Sequence, residues 1–491
     1  MRLREITISL AVFLLTAAAI PILADSAPSP HLGYGFMLSY PPGNLSKVKG
    51  AGFDWYKYFL YWDAVEPNKD GSYNWESLDW RLDESCASGL SLILRVERDS
   101  NDWTPIQDHE MEAWGAFFQA LATHILQKRA ACGYGYRVAL EVWNEPNLDF
   151  QWGYQPVDPG RYTRMVKYAY QGAKVGDSNI ILVAGGLAPT GGASDGRAMN
   201  DVEFLQQMYD AGLKGYFDAI SIHNYGYGGA PEDDTYGSGI LNFRRAEDIY
   251  QVMVNHGDGD KPVWATEFGW LLDSDEEGVE CDPDWDASGF SWQQVTSQQQ
   301  ADYLTRAFAY ADANWAWMEV MIVSNLDFST MPWYDSCDPL RWFAVLKPDG
   351  SARPAYTALQ GMSKRTRSWE VWGMQTATVI SLMADVDLLP GVMTRTLTVH
   401  NTGEQPFTWS VVTATHNLTF TVSPTSGEPS TPMTVCVDTA GYALGTYTGT
   451  ITITASSTEV VQSPWIVPVS LWVVPEVYAV HLPLVLRENT P

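Results

Sequence analysis

The chain has 491 residues, 46% hydrophobic and 18% charged, and its 30 Lys and Arg against 58 Asp and Glu give a formal net charge of -28. One hydrophobic core stops growing near roughly 250–300 residues, so this length implies two or three domains. The apolar content excludes disorder over most of the chain, and the acidity excludes a nucleic-acid partner, whose phosphates need a basic surface.

Met1-Arg2-Leu3-Arg4-Glu5 is a short basic start. An apolar run follows from Ile6 to Leu23, with Pro21 near its end and small residues at Ala24, Ser26 and Ala27. That order reads as a secretory signal over residues 1–27 rather than an uncleaved anchor. No other stretch approaches the roughly 20 apolar residues that cross a bilayer. A secreted or cell-surface protein with no membrane span in the mature chain is expected.

Residues 28–370 alternate short apolar runs with amphipathic stretches. The predicted strands are Tyr34–Ser39, Phe53–Leu60, Leu90–Val96, Arg137–Trp143, Ile180–Gly185, Phe217–His223, Pro262–Glu267 and Val320–Asn325. Helical patterns between them include Glu110–Arg129, Arg161–Gly176, Val202–Ala211, Ala246–His256 and Thr296–Ala313. This alternation predicts an α/β fold, a (β/α)8 TIM barrel. A doubly wound open sheet would want a Gly-rich phosphate turn after the first strand, and Ser39-Tyr40-Pro41-Pro42-Gly43 is not one.

From 371 to 475 Thr, Val and Ser dominate and no helical pattern appears. Short alternating segments recur at Arg395–Val399, Phe407–Val411, Leu418–Val422, Met433–Val437, Gly449–Thr454 and Ile466–Val473. They predict a small all-β, immunoglobulin-like sandwich. Residues 476–491 form a tail with the apolar patch His481–Leu486. Of the five Cys, Cys281 and Cys337 sit in long loops after late strands and are the preferred disulfide. Cys436 is expected to be a buried free thiol.

In such a barrel the chemistry sits where strands end. Glu145 closes the fourth strand in Glu141-Val142-Trp143-Asn144-Glu145-Pro146-Asn147, and Glu267 closes the seventh in Trp264-Ala265-Thr266-Glu267-Phe268-Gly269-Trp270. The two strands face each other across the mouth. Two Glu there suit glycosidic bond cleavage, with one carboxyl as nucleophile and the other as acid/base. A neighbouring carboxylate helps the acid keep its proton, and esterification of the nucleophile later releases that proton.

Trp143-Asn144-Glu145-Pro146 and Thr266-Glu267-Phe268-Gly269 resemble the strand-four and strand-seven motifs of clan A glycoside hydrolases, nearest to families 39 and 5. The resemblance spans roughly residues 33–368. It implies that Glu145 is the acid/base, Glu267 the nucleophile, and Asn144 a ligand of the sugar 2-hydroxyl. His223-Asn224-Tyr225 looks like the His-x-Tyr element, whose Tyr bonds the nucleophile. Trp342-Phe343, Asp349-Gly350 and Arg353-Pro354-Ala355-Tyr356 resemble the stretch that closes such barrels. The implied partner is a β-linked carbohydrate, with no cofactor and no metal.

The sequence departs from that pattern in places. Lys57 stands in the second strand, where many clan members carry Arg at the end, and Lys lacks the planar fork. Strand eight ends in Ser324-Asn325-Leu326-Asp327-Phe328 without the usual Trp, so Trp333 is a candidate replacement. Arg95 and Glu97 read either as sugar ligands or as an ion pair, and Glu141 as a structural partner. Trp143 and Trp270 are further candidate substrate contacts.

The acidic loop Asp273–Asp286 reads as solvated, as a substrate rim carrying Trp285 and Trp292, or as a calcium site. Trp62, Trp143, Trp264, Trp270, Trp285, Trp292 and Trp333 fall at strand ends or in mouth loops, where flat rings suit sugar faces. The sandwich resembles the BACON type found beside carbohydrate-active enzymes, through Asn401-Thr402-Gly403, Phe407-Thr408-Trp409, Val422-Ser423-Pro424 and Gly445-Thr446-Tyr447, and reads as a spacer. The rival reading of the whole chain is a non-catalytic carbohydrate-binding protein on a barrel scaffold. A metal-dependent hydrolase would need clustered His at strand ends, and only His223 qualifies.

Overall fold

The computed structural model describes residues 32–39, 44–99, 102–132, 136–364, 374–375, 380–385, 391–401, 407–456, 460 and 463–474. The expected signal over 1–27 and the tail 476–491 lie outside the described residues.

The parallel strands are β1 (Gly33–Met37), β2 (Trp55–Tyr61), β3 (Ser91–Glu97), β4 (Val138–Val142), β5 (Ile181–Leu187), β6 (Ala219–His223), β7 (Val263–Phe268) and β8 (Met318–Val323). They close into a barrel, with β8 hydrogen-bonded to both β1 and β7. Helices follow them in turn: Leu45–Gly50, Glu76–Ser88, Met111–Ala131, Pro159–Gly176, Asp201–Asp210, Ala246–Asn255, Ser297–Asn314 and Pro354–Gly361. This is the (β/α)8 architecture the alternation predicts. Predicted boundaries agree to within a few residues.

Side chains of a strand alternate between faces. On the inward row, Trp55 of β2 and Trp264 of β7 meet edge-on with ring centroids 5.3 Å apart. Ile93, Ala139, Val183, Ala219 and Val320 complete this apolar floor. The opposite row of each strand packs against the helices in a separate, larger core. Two residues further along, the inward row turns polar at Lys57, Arg95, Glu141 and Ser221. The floor therefore supports a layer of charge at the C-terminal end.

The closing stretch is braced by Arg353, which is buried. Its guanidinium donates to the carbonyls of Arg341 and Ala344 and pairs with Glu277. The Tyr356 hydroxyl reaches Lys47 O at 2.9 Å, tying the last helix to the first. Cys281–Cys337 is a disulfide joining the loops after β7 and β8, as predicted. A second, Cys86–Cys132, links the helix after β2 to the end of the helix after β3. Nothing in its spacing signalled it. Cys436 is free but only half buried, because it lies on the outward row of the strand Pro432–Asp438 between buried Val435 and Val437. That corrects the expectation of a buried thiol.

Beyond the barrel, two sheets form a sandwich. One orders Ile380–Asp385, Trp465–Val474, Gly445–Ala455, Trp409–Thr415 and Ser426–Gly427, and the other Val392–Thr398, Pro432–Asp438 and Thr421–Ser423. Their inward rows, including Leu397, Trp409, Val435, Ile453 and Val469, share one core. The strand Ile380–Asp385, which the pattern did not single out, pairs in parallel with Trp465–Val474.

Candidate active site

Lys57 follows Trp55 on the inward row of β2 and is wholly buried. Its Nζ lies 2.7 Å from Glu141 Oε2 and 3.0 Å from Glu267 Oε1. Arg95, on the matching row of β3, donates from one Nη to Asn144 Oδ1 at 2.7 Å and to Glu267 Oε1 at 3.2 Å. Its Nε donates to Glu97 Oε2 at 3.2 Å, and the guanidinium lies over the Phe59 ring. The planar fork absent from strand two is thus supplied by strand three, and Lys57 adds a point charge beneath it.

Strict alternation from Trp264 would put Thr266 inward and turn Glu267 toward the helices. The register shows why it does not. Against β6, Ala265 pairs with Ile222 but Glu267 with His223; against β8, Ala265 pairs with Met321 but Phe268 with Val323. The extra residue is a bulge, a device that re-aims a side chain. Glu267 Oε2 then accepts from the Tyr225 hydroxyl at 2.9 Å, and that hydroxyl also lies 2.9 Å from Ser324 Oγ.

Glu145 reaches the mouth by a different route. Trp143 and Glu145 have φ of 70° and 41°, left-handed values that are costly for non-glycine residues. The turn sends the Trp143 ring outward into the shell between strands and helices. The backbone is held there by Trp143 N–H on Val96 O and Glu145 N–H on Gly186 O, each 3.0 Å. Next to Gly186, Gly185 lets β5 lie close to β6: at φ 120° a Cβ would fall 2.4 Å from Ser221 O. Asn147 completes the brace by exchanging two hydrogen bonds with the backbone of Ala188.

His223, inward on β6 and fully buried, sits between the two carboxylates. Its Nδ1 is 2.9 Å from Glu145 Oε1 and its Nε2 is 3.6 Å from Glu267 Oε1. Glu145, Glu267, Asn144, His223, Tyr225, Lys57 and Arg95 therefore share one constellation. Ser324 and Glu97 belong to it as well. Ser324 carried no motif signal of its own, while the position of Glu97 at the end of strand three did mark it.

Burial pushes the Glu267 carboxyl toward its neutral form, but His223, Lys57 and Arg95 outweigh it and hold the group well below the usual carboxylate range. Glu141 behaves alike: burial opposes ionisation, and Lys57 and His223 prevail. Burial keeps Glu97 raised despite Arg95. The Tyr225 phenol is driven far up by burial and then by the Glu267 charge, so it stays a hydrogen-bond donor. One face of the site thus presents an ionised carboxylate held by two cations, an imidazole and a phenol.

Most mouth tryptophans are not ligand surfaces. Trp62, Trp143, Trp264, Trp270 and Trp285 are buried. Each indole N–H is already satisfied, by Glu66, Gln151 O, Glu319, Gly229 O and Cys337 O respectively. Trp143 and Trp270, expected as substrate contacts, therefore wall the site from behind. Trp270 packs so tightly under the loop after β6 that a Cβ on Gly226 would overlap its ring. Trp292 and Trp333 are exposed, at 45% and 56%.

In the acidic loop Asp273 caps a turn and Glu277 pairs with Arg353. Among the described residues no three His, Cys, Asp or Glu are grouped to hold a metal ion. No described helix is long and apolar enough to cross a membrane.

No protein-family model and no curated protein matches the chain. Solved structures do. A family 39 glycoside hydrolase from the gut symbiont Bacteroides cellulosilyticus WH2 superposes with a TM-score of 0.51 at 18% identity, covering 84% of this chain and 81% of that one. A GH5_18 protein from Bifidobacterium longum subsp. infantis gives a TM-score of 0.48 at 11% identity, covering 73% and 84%. The Ignisphaera aggregans GH53 catalytic domain gives 0.46 at 16%, covering 68% and 97%. The structural neighbours are glycoside hydrolases of clan A, and the fold this chain shares with the family 39 protein is the (β/α)8 barrel.

Proposed function

We propose that the chain is a secreted retaining glycoside hydrolase that cleaves β-linked oligo- or polysaccharides by double displacement. The observation that carries this reading is the asymmetric pair. Glu267 is buried and kept ionised by Lys57, Arg95 and His223, while Glu145 stands nearer solvent on the other side of the same imidazole. An ionised, immobilised carboxylate is what a nucleophile requires. In the first step a Glu267 oxygen bonds to the anomeric carbon as the glycosidic C–O bond breaks, and Glu145 gives its proton to the departing oxygen. In the second, Glu145 takes a proton from water, whose oxygen displaces Glu267 and restores it as carboxylate. Arg95 holds Asn144 by its Oδ1, which leaves the amide nitrogen to donate to a sugar hydroxyl.

The disulfides favour an oxidising compartment, in keeping with export. The sandwich is read as a BACON-like spacer. Glu267→Ala is expected to abolish turnover, and added azide to restore it with a glycosyl azide of inverted configuration. Glu145→Ala is expected to lose about 10²–10⁴-fold on poor leaving groups and less on activated aryl glycosides. Full activity in Glu267→Ala would sink the assignment. Product analysis on β-glucans, xylans, mannans and galactans identifies the sugar and linkage.

A further inference from the structure

Two exposed tryptophans lie on opposite sides of the mouth, and one belongs to the side of Glu145. Trp292, in the loop after β7, is near-parallel to Tyr227, with an interplanar angle of 11° and centroids 5.5 Å apart. It is also near-parallel to Tyr236, at 22° and 6.2 Å. The Tyr236 hydroxyl donates to Trp292 O at 3.1 Å, so the tier is fixed through backbone as well as rings.

Tyr227 locates the tier. Its hydroxyl reaches Pro189 O in the loop after β5, and the adjacent Ala188 is the residue braced by Asn147, two residues from Glu145. The Glu145 charge is felt at the Tyr227 phenol, which burial first and then that carboxylate push upward. The loop that carries Trp292 is not a loose flap. Cys281–Cys337 ties it to the loop after β8, and Trp285, Leu271, Leu272, Trp342 and Phe343 give it a core of its own.

Trp333 belongs elsewhere. It packs on Tyr334, which stacks on Phe328 beside Phe59, over the Arg95 side of the mouth. A retaining enzyme protonates the leaving oxygen from the acid/base, so the departing group lies on the Glu145 side. A rigid, half-exposed aromatic tier on that side is a stacking surface for a flat ring with apolar faces.

We infer that Trp292, backed by Tyr227 and Tyr236, is a leaving-group subsite that binds a sugar ring, so that the group departing on the Glu145 side is itself a sugar of a β-linked chain rather than a small aglycone. The inference rests on the glycosidase reading above and adds to it the size and nature of the departing group. Binding energy on the departing sugar appears in turnover only if that sugar is present.

The test compares two substrates. One is whichever of cello-, xylo- and manno-hexaose the wild-type protein cleaves fastest. The other is the glycosyl fluoride of the same sugar, whose leaving group is too small to touch the tier. In Trp292→Ala, kcat/KM on the hexaose is expected to fall at least ten times more than on the fluoride, and Trp292→Tyr should recover most of that loss. Fluoride turnover also reports that the variant is folded. Equal losses on the two substrates, or none, overturn the subsite and leave the glycosidase reading intact. If wild type turns over neither these substrates nor any of the β-glucans, xylans, mannans and galactans, the glycosidase reading fails. Calorimetric binding of the same hexaoses then decides the subsite: weaker binding by Trp292→Ala supports it, and unchanged or undetectable binding overturns it.

Discussion

The two folded regions treat polar groups in opposite ways. In the barrel, Lys57, Glu141 and His223 are completely buried and Glu97 and Glu267 nearly so, whereas in the sandwich Thr439 is the buried polar residue among those described. The strand Trp465–Val474 alternates cleanly, its inward Val467, Val469, Leu471 and Val473 meeting apolar neighbours from the facing sheet. Each buried ion costs several kcal/mol of desolvation, which its partners only partly return. A domain needing only to fold has no use for that expense, and the sandwich avoids it. The barrel accepts it most densely in the layer directly above the Trp55–Trp264 floor and directly below the mouth, and again in isolated braces such as Arg245–Asp201 and Arg353–Glu277. Within that layer Lys57 and Arg95 converge on Glu267, which is the feature the proposed chemistry draws on.

Breaking the barrel layer should give the largest effect. Lys57→Met leaves Glu141 and Glu267 without their shared cation. Loss of a preorganised electrostatic partner predicts a fall in kcat of about 10²–10³-fold, and a broken buried pair predicts a loss of about 3–5 kcal/mol in unfolding free energy. The pH dependence has a definite sign. Glu267 is depressed in the folded state, so its contribution is present above the ordinary glutamate value of about 4.3 and is lost as pH falls through the folded value. Without Lys57 the folded value rises, so loss of activity and stability on acidification should begin at higher pH than in wild type. A pH profile whose acid limb does not move would show that Arg95 and His223 suffice.

The sandwich should respond only in stability. Ile453 is fully buried, and Ile453→Ala is expected to cost about 2–5 kcal/mol in the unfolding of that domain. Turnover of a small glycoside in the barrel should stay within about twofold of wild type, since distant sites behave independently. Calorimetry resolving a shifted sandwich transition beside an unshifted barrel transition checks this, and a matching loss of kcat would deny the separation of roles.

Tyr225→Phe is a smaller cut in the same layer. It removes one hydrogen bond to Glu267 and one contact with Ser324 while preserving the ring packed on Phe343. A bond to a charged acceptor is worth about 1.5–3 kcal/mol, or roughly tenfold or more in kcat if it acts on the nucleophile. Melting temperature should change little beside that loss.

The same contrast governs what the sequence made legible. The sandwich strands follow a period of two, and the barrel strands, buried on both faces, read as short apolar runs, so both were readable from pattern. The two Glu were readable because each ends an apolar run. Their orientations were not, since Glu267 depends on a bulge seen only in the pairing register of three strands, and Glu145 on left-handed backbone at Trp143 and at Glu145 itself. The tryptophans misled for a related reason. A Trp just past a strand end looks like a ligand surface in sequence, but the same position is where the shell between strands and helices closes, and a backbone carbonyl or carboxylate there satisfies the indole N–H. Cys86–Cys132 was missed because its partners lie on two adjacent helices whose packing no local pattern encodes.

Trp333 offers the smallest expected effect and the finest discrimination. It is 56% exposed and tilts against Tyr334 with centroids 6.2 Å apart. A little under half of its surface leaves water on folding, so Trp333→Ala should cost only about 1 kcal/mol in unfolding free energy. It touches none of Lys57, Arg95, His223, Tyr225 or the two Glu in the contacts described above, so kcat at saturation should hold. If its ring meets sugar on the Arg95 side, KM for an oligosaccharide should rise a few-fold, as expected when binding common to ground and transition states is lost. A drop in kcat with KM unchanged would mean that Trp333 acts on the reacting atoms through Tyr334 and Phe59, and would extend the charged layer's influence outward to the rim. An unchanged KM would make Trp333 an exposed surface residue and leave Trp292 as the exposed mouth tryptophan with a proposed sugar contact.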